Sequence, residues 1–422
     1  MRLAPMRHAP VRHALDSLIR RFLVTGSLQV RYPDGHSSTH HGAPGPAVAF
    51  TVSDWRAIRR MVLNPGLAFG EGYMDGTIAP VGCTIYDALD LLTANITGGG
   101  RQPVMALHGL AAVALKRWAQ FNPASRAQRN AAHHYDLDGA LYSLLLDADR
   151  QYSCAYFPTG TETLEEAQAA KKRLVASKLL LRPGMRVLDI GCGWGGMALT
   201  LARDHGAEVT GITLSQEQLA AARARAAEAG LSGQVRFELM DYRTLSGQWD
   251  RIVSVGMFEH VGVSHYRTFF GVLRRVLAPD GVALLHSIGR SHGPATTNAW
   301  LSKYIFPGGY SPALSEVLPA VERSGLLVAD VEVLRLHYAE TLRHWRRNLL
   351  DRHAAIAALY DERFCRMFEF YLAGAELAFR RGGHMVWQMQ LSRQVDAVPP
   401  TRDYLRDAQP AVARVPQAAL SP

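Results

Sequence analysis

Cysteine is scarce in this 422-residue chain: there are four, Cys83, Cys154, Cys192 and Cys365, with no paired spacing and no CxxC. That excludes a disulfide-framed secreted scaffold and a cysteine-rich zinc centre, and no metal site is expected. Free thiols suit a reducing cytoplasm. Long apolar runs are missing too; stretches such as 111–115 and 179–181 fall far short of the roughly 18–20 residues a bilayer span needs. The first 21 residues lack the apolar centre of a secretory signal and mix Arg2, Arg7, Arg12, Arg20 and Arg21 with prolines and histidines. Acidic residues are in deficit, 37 against 46 Lys and Arg, for a net charge of +9. Such a surplus suits an anionic surface, either nucleic acid or phospholipid. No nucleic-acid-binding signature accompanies it, so nucleic acid is not an expected partner. With 48% hydrophobic and 20% charged residues, the composition is that of a globular enzyme rather than a disordered chain.

The length predicts two or three domains. Residues 1–19 read as a flexible basic arm and 20–110 as a small α+β domain. Ser27–Tyr32 alternates, Pro33-Asp34-Gly35 turns, and Val48–Val52 is a second strand. Ser53 or Asp54 caps a helix through Ile58 and Met61 that Asn64-Pro65-Gly66 stops. Phe69 to Gly76 reads as a glycine-dense turn region, followed by a helix over Ile85–Leu92. This domain carries no dense chemical constellation and is expected to engage lipid or a second subunit. Residues 111–127 form a linker, and 128–395 are a second domain. In it, Thr163 and Glu166 make a capping box that opens a helix running to Leu179. Strands at 186–190, 209–213, 235–239, 251–255 and 282–287 alternate with helices, the mark of a parallel, doubly wound sheet. From 291 to 312 a loop rich in Gly, Pro and aromatics is core filler or a lid, and 396–422 is a Pro-rich tail.

Asp189-Ile190-Gly191-Cys192-Gly193-Trp194-Gly195 lies between a strand and a helix, where glycines let backbone approach a ligand and the helix start offers unpaired N–H groups. Asp189 precedes the first glycine by two residues, placed to meet an amino group rather than a pyrophosphate. That favours S-adenosylmethionine over a dinucleotide. Many Rossmann-like proteins carry a carboxylate after the second strand; this chain has Thr213. Gln218 either bonds a ribose or completes a capping box with Ser215. Asp241 and Tyr242 offer a polar contact and a ring edge to an adenine.

Together with Tyr152-Ser153-Cys154-Ala155-Tyr156-Phe157, Phe258-Glu259-His260-Val261-Gly262, His286-Ser287-Ile288-Gly289, Tyr304-Ile305-Phe306-Pro307-Gly308-Gly309 and His337-Tyr338-Ala339, these residues resemble the cyclopropane-fatty-acyl-phospholipid synthase family over nearly the whole chain. The resemblance implies a Rossmann-like class I methyltransferase domain. It implies an enzyme that transfers a methylene from S-adenosylmethionine to the cis double bond of an unsaturated phospholipid. It also implies bicarbonate, held by Cys154, Glu259, His286, the backbone of Ile288 and Tyr338, and cofactor contacts at Tyr152, Ser153, Gly191, Gly193, Thr213 and Gln218. A homodimer, peripheral on an anionic membrane at its cytoplasmic face, is the accompanying expectation.

The chemistry is consistent with that set. A sulfonium methyl is a strong electrophile and an alkene a weak, neutral nucleophile, so the two must be aligned and water excluded while a carbocation forms. Aromatic faces stabilise such a cation, and Tyr152, Tyr156, Phe157, Tyr304 and Phe306 are the candidates. A bound bicarbonate then takes a proton from the new methyl, with Glu259 passing it on and His286 and Tyr338 orienting the ion. A carboxylate beside that anion repels it unless Glu259 is protonated or bonds the ion's own O–H. Each residue has a plainer reading: Cys154 as a small buried side chain, Glu259 as a helix cap, His286 as a satisfied core histidine. The basic stretch Arg343, His344, Arg346 and Arg347 either touches headgroups or is a solvated face balanced by Glu340 and Asp351. Rival functions are a related methyltransferase making methyl-branched or methylene-bearing chains or methylating a small amine, and a non-catalytic lipid-binding protein.

Overall fold

The computed structural model describes residues 8–99 and 139–407. The expected linker at 111–127, the first residues of the arm and the end of the tail lie outside them. The described residues form two compact units: 8–99 with 295–309 and 342–384, and 139–294 with 310–341 and 385–407. This departs from the contiguous division at 20–110 and 128–395, because two later excursions of the chain belong with the N-terminal residues.

In the first unit, α1 (Ala9–Phe22) lies before β1 (Thr25–Arg31), β2 (Ser37–His41) and β3 (Ala43–Val52), with α2 (Trp55–Leu63), α3 (Pro65–Met74), β4 (Ile78–Pro80) and α4 (Ile85–Thr97) following. The sheet order is β2-β1-β3-β4. From Ala9 onward the expected flexible arm is therefore a helix. Leu15 and Ile19 bury its apolar side, and Asp16 accepts hydrogen bonds from Tyr32 (2.7 Å) and Ser38 (3.1 Å) with His40 at 2.9 Å. Asp54 is the residue that caps α2. The glycine-dense stretch after Pro65 is helical rather than a turn, and the glycines explain how. A Cβ on Gly70 would lie 2.6 Å from the Trp300 ring and 2.9 Å from Phe370, so its absence lets side chains from both later excursions rest on the α3 backbone.

The second unit holds a mixed seven-stranded sheet of order β10-β11-β9-β8-β5-β6-β7. It contains β5 (Arg186–Ile190), β6 (Glu208–Thr213), β7 (Val235–Leu239), β8 (Trp249–Val255), β9 (Leu277–Arg290), β10 (Leu327–Val333) and β11 (His384–Ser392). Strands β5 to β9 pair in parallel, and β10 with β11 antiparallel. Its helices include α5 (Gly139–Leu145), α6 (Leu164–Lys178), α7 (Gly196–His205), α8 (Gln216–Glu228), α9 (Tyr266–Val276), α10 (Leu314–Ser324) and the start of α11 (His337–Asp351). The expected capping box opens α6: Thr163 accepts from the Glu166 N–H, and Glu166 from that of Thr163. Val187, Leu188, Ile252, Val253, Leu284 and Leu285, all nearly inaccessible to solvent, make the sheet's interior. This α/β, Rossmann-like architecture sets the carboxyl ends of β5, β6, β8 and β9 side by side, where ligands of such sheets bind.

Candidate functional site

Past β5 the chain turns through Gly191, Gly193 and Gly195, with φ of +81°, +53° and +83°. These are left-handed values that glycine alone adopts freely. The Gly191 and Cys192 N–H groups both donate to the Ile212 carbonyl (2.9 and 3.0 Å), tying the loop to β6 before α7 begins. A Cβ on Gly195 would meet Phe237 at 2.8 Å. This loop borders an open cavity whose lining includes all nine residues expected to contact a cofactor: Tyr152, Ser153, Asp189, Gly191, Gly193, Thr213, Gln218, Asp241 and Tyr242.

Asp189 is the least comfortable of them. It is 2% exposed, its Oδ2 has no hydrogen-bond partner, and burial lifts its carboxyl to about 7, against which the Lys171 charge acts in part. A buried carboxyl oxygen without a donor fits a ligand that brings an ammonium. Ser215 caps α8 by accepting from the Gln218 N–H (3.3 Å), but the reciprocal half of the box is not made. Gln218 Oε1 instead accepts from the Thr213 hydroxyl (3.0 Å), so Gln218 faces the cavity as well as serving the cap. Asp241 is gripped by Arg243 through Nε (2.8 Å) and Nη2 (2.6 Å). Burial raises its pKa, yet these bonds outweigh it and hold the carboxyl low. The Tyr242 ring lies edge-on to Phe269 and beneath the Arg243 guanidinium.

The reading from residue types missed several parts of this cavity. Arg150, with φ +54°, sits over the Trp194 ring at 5.4 Å, and Tyr142 meets both Tyr152 and Trp194. Lys171 is fully buried and donates to Gln151 Oε1 (2.5 Å) and Ser153 Oγ (2.8 Å), fixing the segment that lines the cavity. Burial lowers its ammonium to about 8. One signal was available: Gln168, Lys171 and Lys178 fall on the same helical stripe as Leu164, Ala167, Leu174 and Val175, and a polar residue on a core stripe calls for a reason.

The five residues expected at a bicarbonate do not line that cavity. Three of them, Glu259, His286 and Ile288, lie at the ends of β8 and β9. Gly256, just past β8, donates to the His286 carbonyl (3.0 Å), and the place of its missing Cβ is 3.9 Å from Ser153 Cβ, bringing the 152–154 segment over the strand ends. Glu259 stands in a short turn anchored by Phe258, which is buried among Tyr266, Phe269, Phe270 and Trp387. Its Oε1 accepts from the Ile288 N–H at 2.6 Å, so the backbone group expected to face an ion is here joined to Glu259. Its Oε2 is buried without a partner, and burial raises the carboxyl to about 7. His286 has Nδ1 3.0 Å from Gln388 Nε2. Cys154 is buried, its thiol pushed far above its usual pKa by burial, and it is a neutral group rather than a nucleophile. The adjacent Ala155 N–H donates to Thr341 Oγ1 (3.0 Å), one turn along α11 from the buried Tyr338.

Of the aromatic candidates, Tyr156 and Phe157 lie against the His337 ring in the second unit. Tyr304 and Phe306 belong to the first unit: Tyr304 donates to Glu71 (2.7 Å), and Phe306 lies edge-on to Tyr371. Of the two readings of the basic stretch, headgroup contact or solvated face, neither describes Arg346, whose guanidinium is used internally. It lies over Tyr86 at 4.3 Å and pairs with Glu376 at 3.2 Å.

Residues 123–389 match the mycolic acid cyclopropane synthetase family. The chain is 40% identical to the cyclopropane-fatty-acyl-phospholipid synthase of Escherichia coli K12 over 340 residues, 80% of this chain and 86% of that one. It is 35% identical to the tuberculostearic acid methyltransferase UfaA1 of Mycobacterium tuberculosis over 397 residues, 90% and 91% of the two chains. Among solved structures, mycolic acid cyclopropane synthase CmaA1 complexed with SAH and CTAB superposes with a TM-score of 0.60 at 34% identity, over 64% of this chain and 99% of that one. With the sheet, the glycine loop and the sequence agreeing, the chain belongs to the mycolic acid cyclopropane synthetase family.

Proposed function

We propose that this protein is a cyclopropane-fatty-acyl-phospholipid synthase that binds S-adenosylmethionine in the cavity beside β5. The observation that carries the reading is Asp189, a buried carboxyl with an unpartnered oxygen at the mouth of a glycine cradle. S-adenosylmethionine, when bound, supplies the electrophilic methyl. The protein's own task is to hold the cofactor's amino group with Asp189, stack and enclose the remainder with Tyr152, Trp194 and Tyr242, and keep water from the reacting carbon. Purified protein incubated with S-adenosylmethionine and vesicles of unsaturated phospholipid is expected to yield acyl chains heavier by one CH2, with the double bond replaced by a ring. A methyl branch or an exocyclic methylene instead would reassign the product, and no gain at all would end the proposal.

A bicarbonate ion among Cys154, Glu259, His286 and Tyr338 is the second part of the reading. Its support is the orphaned Oε2 of Glu259 together with a carboxyl held near 7. A protonated Glu259 donates to an anion instead of repelling it, which removes the clash of two negative charges. Depleting bicarbonate from the assay is expected to lower the rate, and adding it back to restore it.

The first unit contributes lipid engagement in this reading. Leu18 and Phe22 of α1, Phe50 of β3, Leu92 and Ile96 of α4 and Phe370 share an apolar cavity, and Ile96 at its edge is 47% exposed. No helix among the described residues is long and apolar enough to cross a membrane. Peripheral association with an anionic membrane belongs to this reading, and its support is the +9 charge. Sedimentation with anionic vesicles, weakened by salt, is the expected result, and a homodimer is the accompanying expectation, read by ultracentrifugation.

A further inference from the structure

His286 is 2% exposed, and its Nδ1 faces Gln388 Nε2 at 3.0 Å. Which atom donates is decided one bond further away. Gln388 Oε1 lies 2.7 Å from Lys178 Nζ. An ammonium only donates, so the amide oxygen must be turned to Lys178 and the amide nitrogen to the ring. An amide NH2 also only donates. Nδ1 therefore accepts, and the proton of the neutral imidazole sits on Nε2.

The lysine that sets this order is itself immobile. Lys178 is 1% exposed and pairs with the Glu332 carboxylate. Its backbone carbonyl accepts from Gln390 Nε2 at 2.7 Å, two residues beyond Gln388 on the same face of β11. The side chain and the main chain of Lys178 are thus both held by one strand. Glu332, Lys178, Gln388 and His286 come from β10, α6, β11 and β9, all in the second unit.

We infer that Lys178 and Gln388 are positioning residues that lock His286 as a neutral imidazole carrying its hydrogen on Nε2, so that the ring offers a donor and not a base. This rests on the reading of His286 as part of the anion site. The electrostatics agree: burial and the positive charges of Lys171 and Lys178 all lower the basicity of the ring. The consequence is a division of labour. The proton released by the substrate is taken by the anion, and His286 stabilises that anion through a hydrogen bond without ever holding the proton itself. The ring departs from the usual catalytic histidine, whose Nδ1–H is oriented by a carboxylate so that Nε2 is left basic.

The test is 15N NMR of histidine-labelled protein, the His286 signals being assigned by their loss in H286N. Wild type is expected to show a protonated Nε2 and an unprotonated Nδ1 across the pH range in which the enzyme works. Gln388→Glu places an acceptor opposite Nδ1 and should move the proton there. Its kcat should fall on the order of 100-fold, while KM for S-adenosylmethionine stays within about twofold. Lys178→Arg keeps a donor to the amide and should retain the wild-type signature. A wild-type ring protonated on Nδ1 overturns the inference, as does a Gln388→Glu enzyme with wild-type kcat. Should Gln388→Glu not fold, the wild-type spectrum decides by itself. A protein showing the stated tautomer but no lipid product would instead refute the proposed function.

Discussion

Replacing Asp189 by Asn should make the protein more stable and less able to bind its cofactor. Burial raises the carboxyl from 3.8 to about 7. Between those values the folded chain keeps a proton that the unfolded chain has released, so stability falls as pH rises through this window and the loss is complete above about 7. A gap of about three pH units at roughly 1.36 kcal/mol each sets an upper figure of about 4 kcal/mol. Asn is neutral and of the same shape. The two proteins should match below about pH 4, and the variant should be more stable by up to that amount near pH 8. Urea denaturation followed by tryptophan fluorescence at both pH values reads the difference. S-adenosylhomocysteine at roughly 100 times its Kd then adds about 2.7 kcal/mol to wild type. It should add far less to the variant, narrowing or reversing the gap. A variant no more stable near pH 8, or a gap unchanged in acid as a packing effect would give, refutes the argument.

Three further substitutions probe the neighbours. Glu259→Gln should keep cofactor affinity and lose most of the ring-forming activity. Wild-type rate should decline above about pH 7 as the Glu259 carboxyl ionises, and the residual activity of the variant should lack that decline in a pH–rate profile. Lys171→Met removes a charge that lowers the Asp189 carboxyl, so calorimetric titration with S-adenosylhomocysteine should show the acid limb of binding shifted to higher pH. Gly195→Ala puts a side chain at φ +83° and a Cβ within 2.8 Å of Phe237. A destabilisation of about 1–3 kcal/mol and weaker cofactor binding are expected from thermal melts and the same titration.

The alternating strands and helices of the second unit were legible because each strand is short, buried and bounded by turn residues, and because the Thr163–Glu166 box announces α6 locally. The glycine loop was legible for the same reason: its chemistry sits in seven consecutive residues. What failed was non-local. The stretch after Pro65 looked like a turn because glycine disfavours helix, yet Trp300 and Phe370, more than 200 residues away in sequence, need its bare backbone. Arg346 looked like a surface charge because nothing near it in sequence names Tyr86 or Glu376 as its neighbours. The partner of Ile288 was hidden in the same way. The strand pattern put Glu259 after the strand at 251–255 and His286 near the end of that at 282–287, but did not show that Glu259 already occupies the Ile288 N–H.

Helix α6 is the element whose sequence understates its role. Lys171 and Lys178 stand two turns apart on its buried side, at 0% and 1% exposure. Removing an ammonium from water costs several kcal/mol, and a hydrophobic residue on that stripe would give a more stable helix. Only Lys178 has a carboxylate within ion-pair distance among the described residues; Lys171 binds the neutral oxygens of Gln151 and Ser153. The positive field of Lys171 acts first on Asp147 and reaches Asp189 and Cys154 as well, and His286 feels both lysines. Under the proposed function each effect has the sign the chemistry needs: Asp189 is drawn toward ionisation, as an ammonium ligand requires, and His286 is kept neutral, as an anion that takes the substrate's proton requires. A helix that served packing alone would not carry charge at those two positions.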